Sequence, residues 1–257
     1  MTASEDAFKH QLTGLIQRYK NGEAKSEEEP VKDLVLRLES QFPGDIGVFC
    51  AFVLNYVVME PGEAIFLGAG EPHAYVSGGK LFCLTISLQP PFNHGQTHAP
   101  HLTHANYTQK MPSDIVECMA TSDNVIRAGL TPKFRDIPTL IAGLTYTAAD
   151  PSKHKVSPQP YGDYSTLYNP PIPEFSVIRV KLAADEKECH NPIQGPSLCI
   201  VTEGEGRISW SGEGGEEGLE LSVGKVVFVG ANTLVKYEST GGAGLEVYRA
   251  FVQPKSL

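Results

Sequence analysis

Two stretches decide how this chain is read: PGEAIFLGAG at 61–70 and VGKVVFVGAN at 223–232. Each places a glycine at the second position, an apolar run of strand length, and then a second small-residue turn. Glycine supplies turns that other residues resist, and a short apolar run between two such turns reads as a strand. A turn, a strand and another turn is the device by which a jelly-roll barrel crosses between its two sheets. Two copies in one chain imply two related barrels.

Working outward, the segments around both copies break into short β-rich runs. GVFCAFVLNYVVM, AIFLGAG and AYVSG follow Gly44. FSVIRVKL, SLCIVTEG, GRISWSG, LELSVG, KVVFVG, TLVKYES and LEVYRAFV occupy 174–254, with GEGGEEG as an exposed hairpin loop. The spacing predicts antiparallel sandwich or barrel architecture. The first 43 residues differ. Phe8, Leu12, Leu15, Ile16 and Tyr19 recur at helical intervals until Asn21-Gly22, and Val31, Leu34, Val35 and Leu38 mark a second helix over 30–42, with Pro30 in its first turn. A short helix is expected after Asp136, with Pro138 in its first turn. The proline-dense stretch 148–173 reads as a linker. The predicted organisation is a helical segment at 1–43, a partial barrel at 44–147, the linker, and a barrel at 174–257; the fold class is mainly β.

The composition sets the outer bounds. The chain has 257 residues, 41% hydrophobic and 20% charged, and 21 Lys plus Arg against 30 Asp plus Glu give a net charge of −9. That balance argues against nucleic acid or an anionic membrane surface as a general partner, but leaves room for a small anionic substrate held by a few local cations. No stretch has the ~18 consecutive apolar residues of a membrane span, so a cytoplasmic protein is expected. Five scattered cysteines without a C-x-x-C pair suggest neither a disulfide framework nor a cysteine zinc site.

The first copy runs on into GEPHAY, which places His73 just after the second turn, where the second copy has Asn232-Thr233-Leu234-Val235. A histidine there is either a metal ligand pointing into the barrel or a hydrogen-bonded structural group. The second barrel has neither His nor Cys at that place and reads as structural. EPHAY, followed downstream by ATSDN and RAGLTPK in DIVECMATSDNVIRAGLTPKF, resembles type I mannose-6-phosphate isomerase, a zinc-dependent cupin enzyme; GDIGVF and IPTL fit it too. The resemblance covers the chain from about Gly44 onward, and the preceding helices fit the end of that family's helical insertion. It implies interconversion of mannose 6-phosphate and fructose 6-phosphate, for GDP-mannose synthesis and glycosylation. It also implies one zinc ion held by Gln, His, Glu and a last His that falls on His73. The family's catalytic arginine falls on Arg127, and Tyr75, Glu117, Asp123 and Lys133 align with polar residues lining its pocket.

Those residue types suit the implied reaction. Aldose-ketose isomerisation moves a proton between adjacent carbons through an enediolate, which needs a base and positive charge beside the developing oxyanion. Glu117 or Asp123 is the candidate base, Arg127 a fixed cation with several donors, and Lys133 a point charge for substrate or phosphate. The plainer alternative has Asp123-Asn124 shaping a turn and Arg127 pairing with Glu117.

The chain departs from the family in two places. It begins inside the helical insertion, so the expectation is a truncated enzyme, without the Gln, His and Glu ligands, whose zinc is sub-stoichiometric and whose activity is low. In addition, KLFCLTISLQPPFNHGQTHAPHLTHANYTQKMP at 80–112 interrupts the motif; its 33 residues hold no Asp or Glu but half of the eight histidines, at 94, 98, 101 and 104. This insert is a metal-binding tract, a surface loop or translated non-coding sequence. Two rival functions stand beside the enzyme: a non-catalytic cupin fragment that binds a sugar phosphate or a partner chain, and a metal dioxygenase, disfavoured because no H-x-H occurs.

Overall fold

The structure, a computed structural model, describes residues 2–76, 81–85 (as backbone), 115–121, 125–212 and 214–252. Two helices open it. α1 (Glu5–Lys20) buries Leu12, Ile16 and Tyr19, and α2 (Glu29–Gln41) buries Val35 and Leu38, the faces that the sequence spacing marked. A bidentate ion pair joins them: the Arg18 guanidinium donates to both carboxylate oxygens of Glu28 at 2.6 and 2.8 Å, just ahead of α2. Val48 and Ala51 complete this helical core.

Val48 and Ala51 come from a segment expected as a strand. GVFCAFVLNYVVM instead begins as a 3-10 helix, Ile46–Phe52, and residues 53–58 form no regular element, leaving Val53, Tyr56 and Val58 exposed. Asp45 explains the outcome: its side chain accepts the Gly47 N–H at 2.6 Å and caps the turn. A three-residue repeat then aims Val48 and Ala51 at α1 and α2, so burial against the helices overrides the strand preference of the valines and phenylalanines.

Next comes a four-stranded sheet in the order β3-β2-β1-β4, made of β1 (Ala64–Leu67), β2 (Leu81–Thr85), β3 (Ile115–Cys118) and β4 (Lys155–Val156). Unlike the antiparallel pattern expected, β1 with β2 and β2 with β3 are parallel; only β1 with β4 is antiparallel. Parallel neighbours require crossovers of a dozen or more residues, and the connections 68–80 and 86–114 are long enough. Leu81–Thr85, assigned to the insert, thus pair at the centre of this sheet; the remaining insert residues, with histidines 94, 98, 101 and 104, lie outside the described residues. AYVSG forms no strand over 74–76, and its last two residues also lie outside. α3 (Ile137–Gly143) starts as expected, with Asp136 accepting the Thr139 N–H at 3.2 Å.

The stretch 148–173, expected as a linker, is tied into both sheets. After a 3-10 turn at Pro151–His154 it supplies β4, β5 (Gln159–Pro160) and β6 (Ser165–Tyr168). Pro160 is tolerated because β5 is an edge strand. β6 pairs along its whole length with β7 (Ser176–Leu182).

The remaining strands are β8 (Lys187–His190), β9 (Ser197–Gly212), β10 (Gly215–Ser222), β11 (Val226–Val229), β12 (Val235–Ser239) and β13 (Leu245–Phe251). The two runs SLCIVTEG and GRISWSG are one strand, β9. Its first half pairs with β13 and β11, its second half with β12 and β10, so it passes from one sheet of the jelly roll to the other. The crossing is at Gly204, where φ is +76° and a Cβ would lie 1.8 Å from the Gly244 carbonyl oxygen. The expected loop GEGGEEG is mostly strand as well, since β9 and β10 stay paired up to Gly212 and Gly215. β8 escaped the sequence reading because Lys187-Glu188-Cys189-His190 lacks apolar alternation; its inward residues, Glu188 and His190, are polar and buried. Ile178, Val180, Val201, Ile208, Val235 and Val247 are among the residues of both sheets that fill the space between them. This is the cupin architecture, mainly β.

The two motif copies match in their turns and strands. Gly62 and Gly224 both have positive φ (+93° and +84°), β1 and β11 occupy matching positions (64–67 and 226–229), and Gly70 (+76°) matches Asn232 (+59°), asparagine being a residue that tolerates this region. The same offset pairs exposed His73 with Val235, which is 1% exposed in the interior of the C-terminal barrel.

Candidate active site

The turn after β1 carries the first site residues. Glu71, which sequence reasoning missed, organises it: its carboxylate accepts the Gly68 N–H at 3.3 Å and the Lys153 ammonium at 2.9 Å, and His154 Nδ1 lies 3.2 Å away. Burial pushes the Glu71 carboxyl up, but the hydrogen bond from Lys153, the His154 ring and the Gly68 amide together hold it below the ordinary carboxylate range. The only sequence signal was an acid two residues before His73. The end of α3 closes over the same turn, with Thr145 N–H donating to the Gly70 carbonyl at 3.2 Å and no room for a side chain at Gly70, whose Cβ would meet the Gly143 carbonyl at 2.4 Å.

His73 follows. Its Nδ1 lies 2.9 Å from the Glu71 carbonyl oxygen, which can only accept, so Nδ1 is the donor and Nε2 is the nitrogen left for another partner. That is the orientation a metal-binding histidine takes. Tyr75 stands beside it, ring centroids 5.9 Å apart, and donates from its hydroxyl to Glu117 Oε1 at 3.1 Å across from β3. The structure therefore brings His73, Tyr75 and Glu117 together, all of them exposed.

Arg127 and Lys133 lie on a loop fixed from the helical side. Asp45 Oδ1 accepts the Leu130 N–H at 2.8 Å and Oδ2 the Thr131 N–H at 3.3 Å. Leu130 takes a positive φ of +54°, and its partly buried side chain packs on the helical core together with that of Val76, next to Tyr75. Arg127 is half-buried, with Nη1 3.5 Å from the Val125 carbonyl; among the described residues it forms no ion pair with Glu117, contrary to the plainer sequence alternative. Lys133 is exposed. Asp123 lies outside the described residues.

The described residues do not compose a zinc site. No group of three His, Cys, Asp or Glu able to hold a metal forms among them; His73 holds its Nδ1 against a backbone carbonyl, as a ligand would, and so does His154 against that of Phe66 at 3.0 Å. Cys118, at the end of β3, does not add one: burial pushes its thiol up to about 11, so it stays neutral.

Two family models match the chain: that of the phosphomannose isomerase type I helical insertion domain over residues 1–54, and that of the phosphomannose isomerase type I C-terminal region over residues 165–213. The chain belongs to the type I phosphomannose isomerase family. A mannose-6-phosphate isomerase of Cryptococcus neoformans is 43% identical over 98% of the chain and 50% of its own length; that of Schizosaccharomyces pombe is 40% identical over 86% and 45%. The chain thus spans about half the length of the curated phosphomannose isomerases it matches. Apo mannose 6-phosphate isomerase from Salmonella typhimurium has the same fold, with TM-score 0.66 and 21% identity over 98% of this chain and 52% of that one.

Proposed function

We propose that the chain supplies one wall of a mannose-6-phosphate isomerase active site, for a sugar-phosphate substrate. The observation that carries this reading is the hydrogen bond from Tyr75 to Glu117 beside His73. A carboxylate held by a phenol has a defined direction, which a base needs to take a proton from one carbon of the substrate and return it to its neighbour. Glu117 is assigned that role, with Tyr75 holding it. Arg127, whose guanidinium has the Val125 carbonyl as its acceptor among the described residues, stabilises the enediolate oxygen, and Lys133 meets the phosphate. Zinc, when bound by a complete ligand set that includes His73, would polarise the carbonyl; the described residues do not compose that set.

The chain by itself is proposed to bind sugar phosphate but to turn it over slowly and to hold less than one zinc. Calorimetric titration with mannose 6-phosphate, zinc analysis and a coupled assay for fructose 6-phosphate test both parts. Binding weakened about tenfold or more by Arg127→Ala or Lys133→Ala supports the site; the absence of any binding overturns it. Turnover typical of isomerases, with one tightly held zinc per chain, would overturn the low-activity part.

A further inference from the structure

The interior of the C-terminal barrel contains a charge without a counter-charge. Arg249 on β13 shares its inward face with Leu245, Val247 and Phe251 and is 0% exposed. Its partners are neutral: Nε donates to Ser197 Oγ at 3.0 Å, and Nη1 lies 3.5 Å from His190 Nδ1. His190 Nε2 faces Ser165 Oγ at 2.8 Å, which leaves Nδ1 as the acceptor for the guanidinium and the ring uncharged; burial, then the charge of Arg249, depress its pKa to about 3. Among the described residues Nη2 has no hydrogen-bond partner and Arg249 forms no ion pair. The buried carboxylates nearby in sequence are engaged elsewhere: Glu246 with Arg179 at 2.8 Å on the opposite face of β13, and Glu188 with the Tyr164 N–H at 2.6 Å.

Arginine cannot shed its proton at any ordinary pH, so this buried cation cannot relieve its desolvation by neutralising. Around it are further groups able to donate to an anion: Ser197 Oγ, and the Tyr237 hydroxyl with Cys199 Sγ, 3.3 Å apart and both within the field of the guanidinium. Tyr237 is 0% exposed and Cys199 1%. Polar groups of this kind in an otherwise apolar core are able to orient a small ligand.

We propose that the barrel interior is a binding site for one small monovalent anion, of halide class, held against Nη2 of Arg249. This site is separate from the His73 turn and does not depend on the isomerase reading. Because Arg249 is sealed from solvent, the ion exchanges slowly and acts mainly as a stabiliser of the native barrel.

The test is thermal unfolding of the full chain, first dialysed into sodium gluconate, an anion too bulky for the core, and then titrated with sodium bromide at constant ionic strength. The expected result is a Tm that rises by a constant increment for each tenfold increase in bromide above a midpoint, the signature of a ligand bound by the native state alone. Arg249→Met, of similar length and uncharged, should lose that dependence. Should this variant fail to fold, anomalous scattering from wild-type crystals grown in bromide decides, with a peak expected within hydrogen-bonding distance of Nη2. Equal stability in gluconate and bromide, a folded Arg249→Met that keeps the bromide response, or no anomalous peak beside Arg249 would each overturn the proposal.

Discussion

The carboxylate of Asp45 accepts the backbone N–H of Leu130 at 2.8 Å, bridging 85 positions of sequence, while the same oxygen caps the 3-10 turn at Gly47. One side chain thereby ties the helical segment to the loop that carries Arg127 and Lys133. Hydrogen bonds to a charged acceptor contribute about 1.5–3 kcal/mol, and a lost N-cap costs about 1 kcal/mol. Asp45→Ala is expected to lower unfolding stability by about 2–3 kcal/mol, and Asp45→Asn by less because an acceptor oxygen remains. Urea unfolding measures the loss, and hydrogen exchange at the Leu130 and Thr131 amides locates it. Unchanged protection of those two amides in Asp45→Ala would show that the clamp does not hold the loop.

Gly47 and Gly129 touch through the same clamp. A Cβ on Gly47 would lie 2.5 Å from the Leu130 nitrogen, and one on Gly129 would lie 2.6 Å from the Gly47 Cα. Both obstacles are backbone, so Gly47→Ala must push the loop away; overpacking of this kind costs about 1–3 kcal/mol. The expected result is a lower urea midpoint together with weaker mannose 6-phosphate binding, since the Arg127 loop moves. A variant as stable as wild type would show that the loop yields freely.

His190 gives the C-terminal barrel an acid-sensitive stability. Buried next to Arg249, it binds a proton only near pH 3 in the native state, against about 6.5 in an unfolded chain. Between those values the unfolded state holds more protons, so stability is fully present above about pH 6.5 and falls as the pH drops, by up to about 1.4 kcal/mol per unit. Urea unfolding at pH 7, 6 and 5 should show this slope, and His190→Gln should flatten it. The same slope in both proteins would assign the acid sensitivity to other groups.

Thiol reactivity should follow burial. Cys189 is exposed, whereas burial pushes Cys118 up to about 11 and raises the Cys199 thiol, which is 1% exposed. Iodoacetamide at pH 8 is expected to alkylate Cys189 well before Cys118 and Cys199, as peptide mass mapping would record. Early modification of Cys199 would show that the barrel opens far more readily than its packing implies.

The helices were legible because their apolar spacing coincides with their contacts: Leu12, Ile16, Val35 and Leu38 are both the periodic residues and the buried ones. The paired turn motifs were legible because their glycines mark positive-φ positions that few other residues accept. GVFCAF misled because its strand-forming residues serve a helical interface, and β8 was overlooked because its inward residues are polar. At the candidate site, local motifs put forward His73 and Arg127. The roles of Glu71 and Asp45, however, reside in hydrogen bonds to partners up to 86 positions away.

What the sequence by itself determined was therefore whatever depends on neighbours along the chain: helix faces, the cap at Asp136, glycine turns, and the motifs that mark the family. Only the tertiary structure decided which strands lie side by side, that Tyr75 meets Glu117, and that Arg249 is buried without a carboxylate partner among the described residues. The physical reason is that caps and turns are satisfied within a few residues, whereas strand partners and buried charges are settled by groups remote in sequence that compete for the same interior.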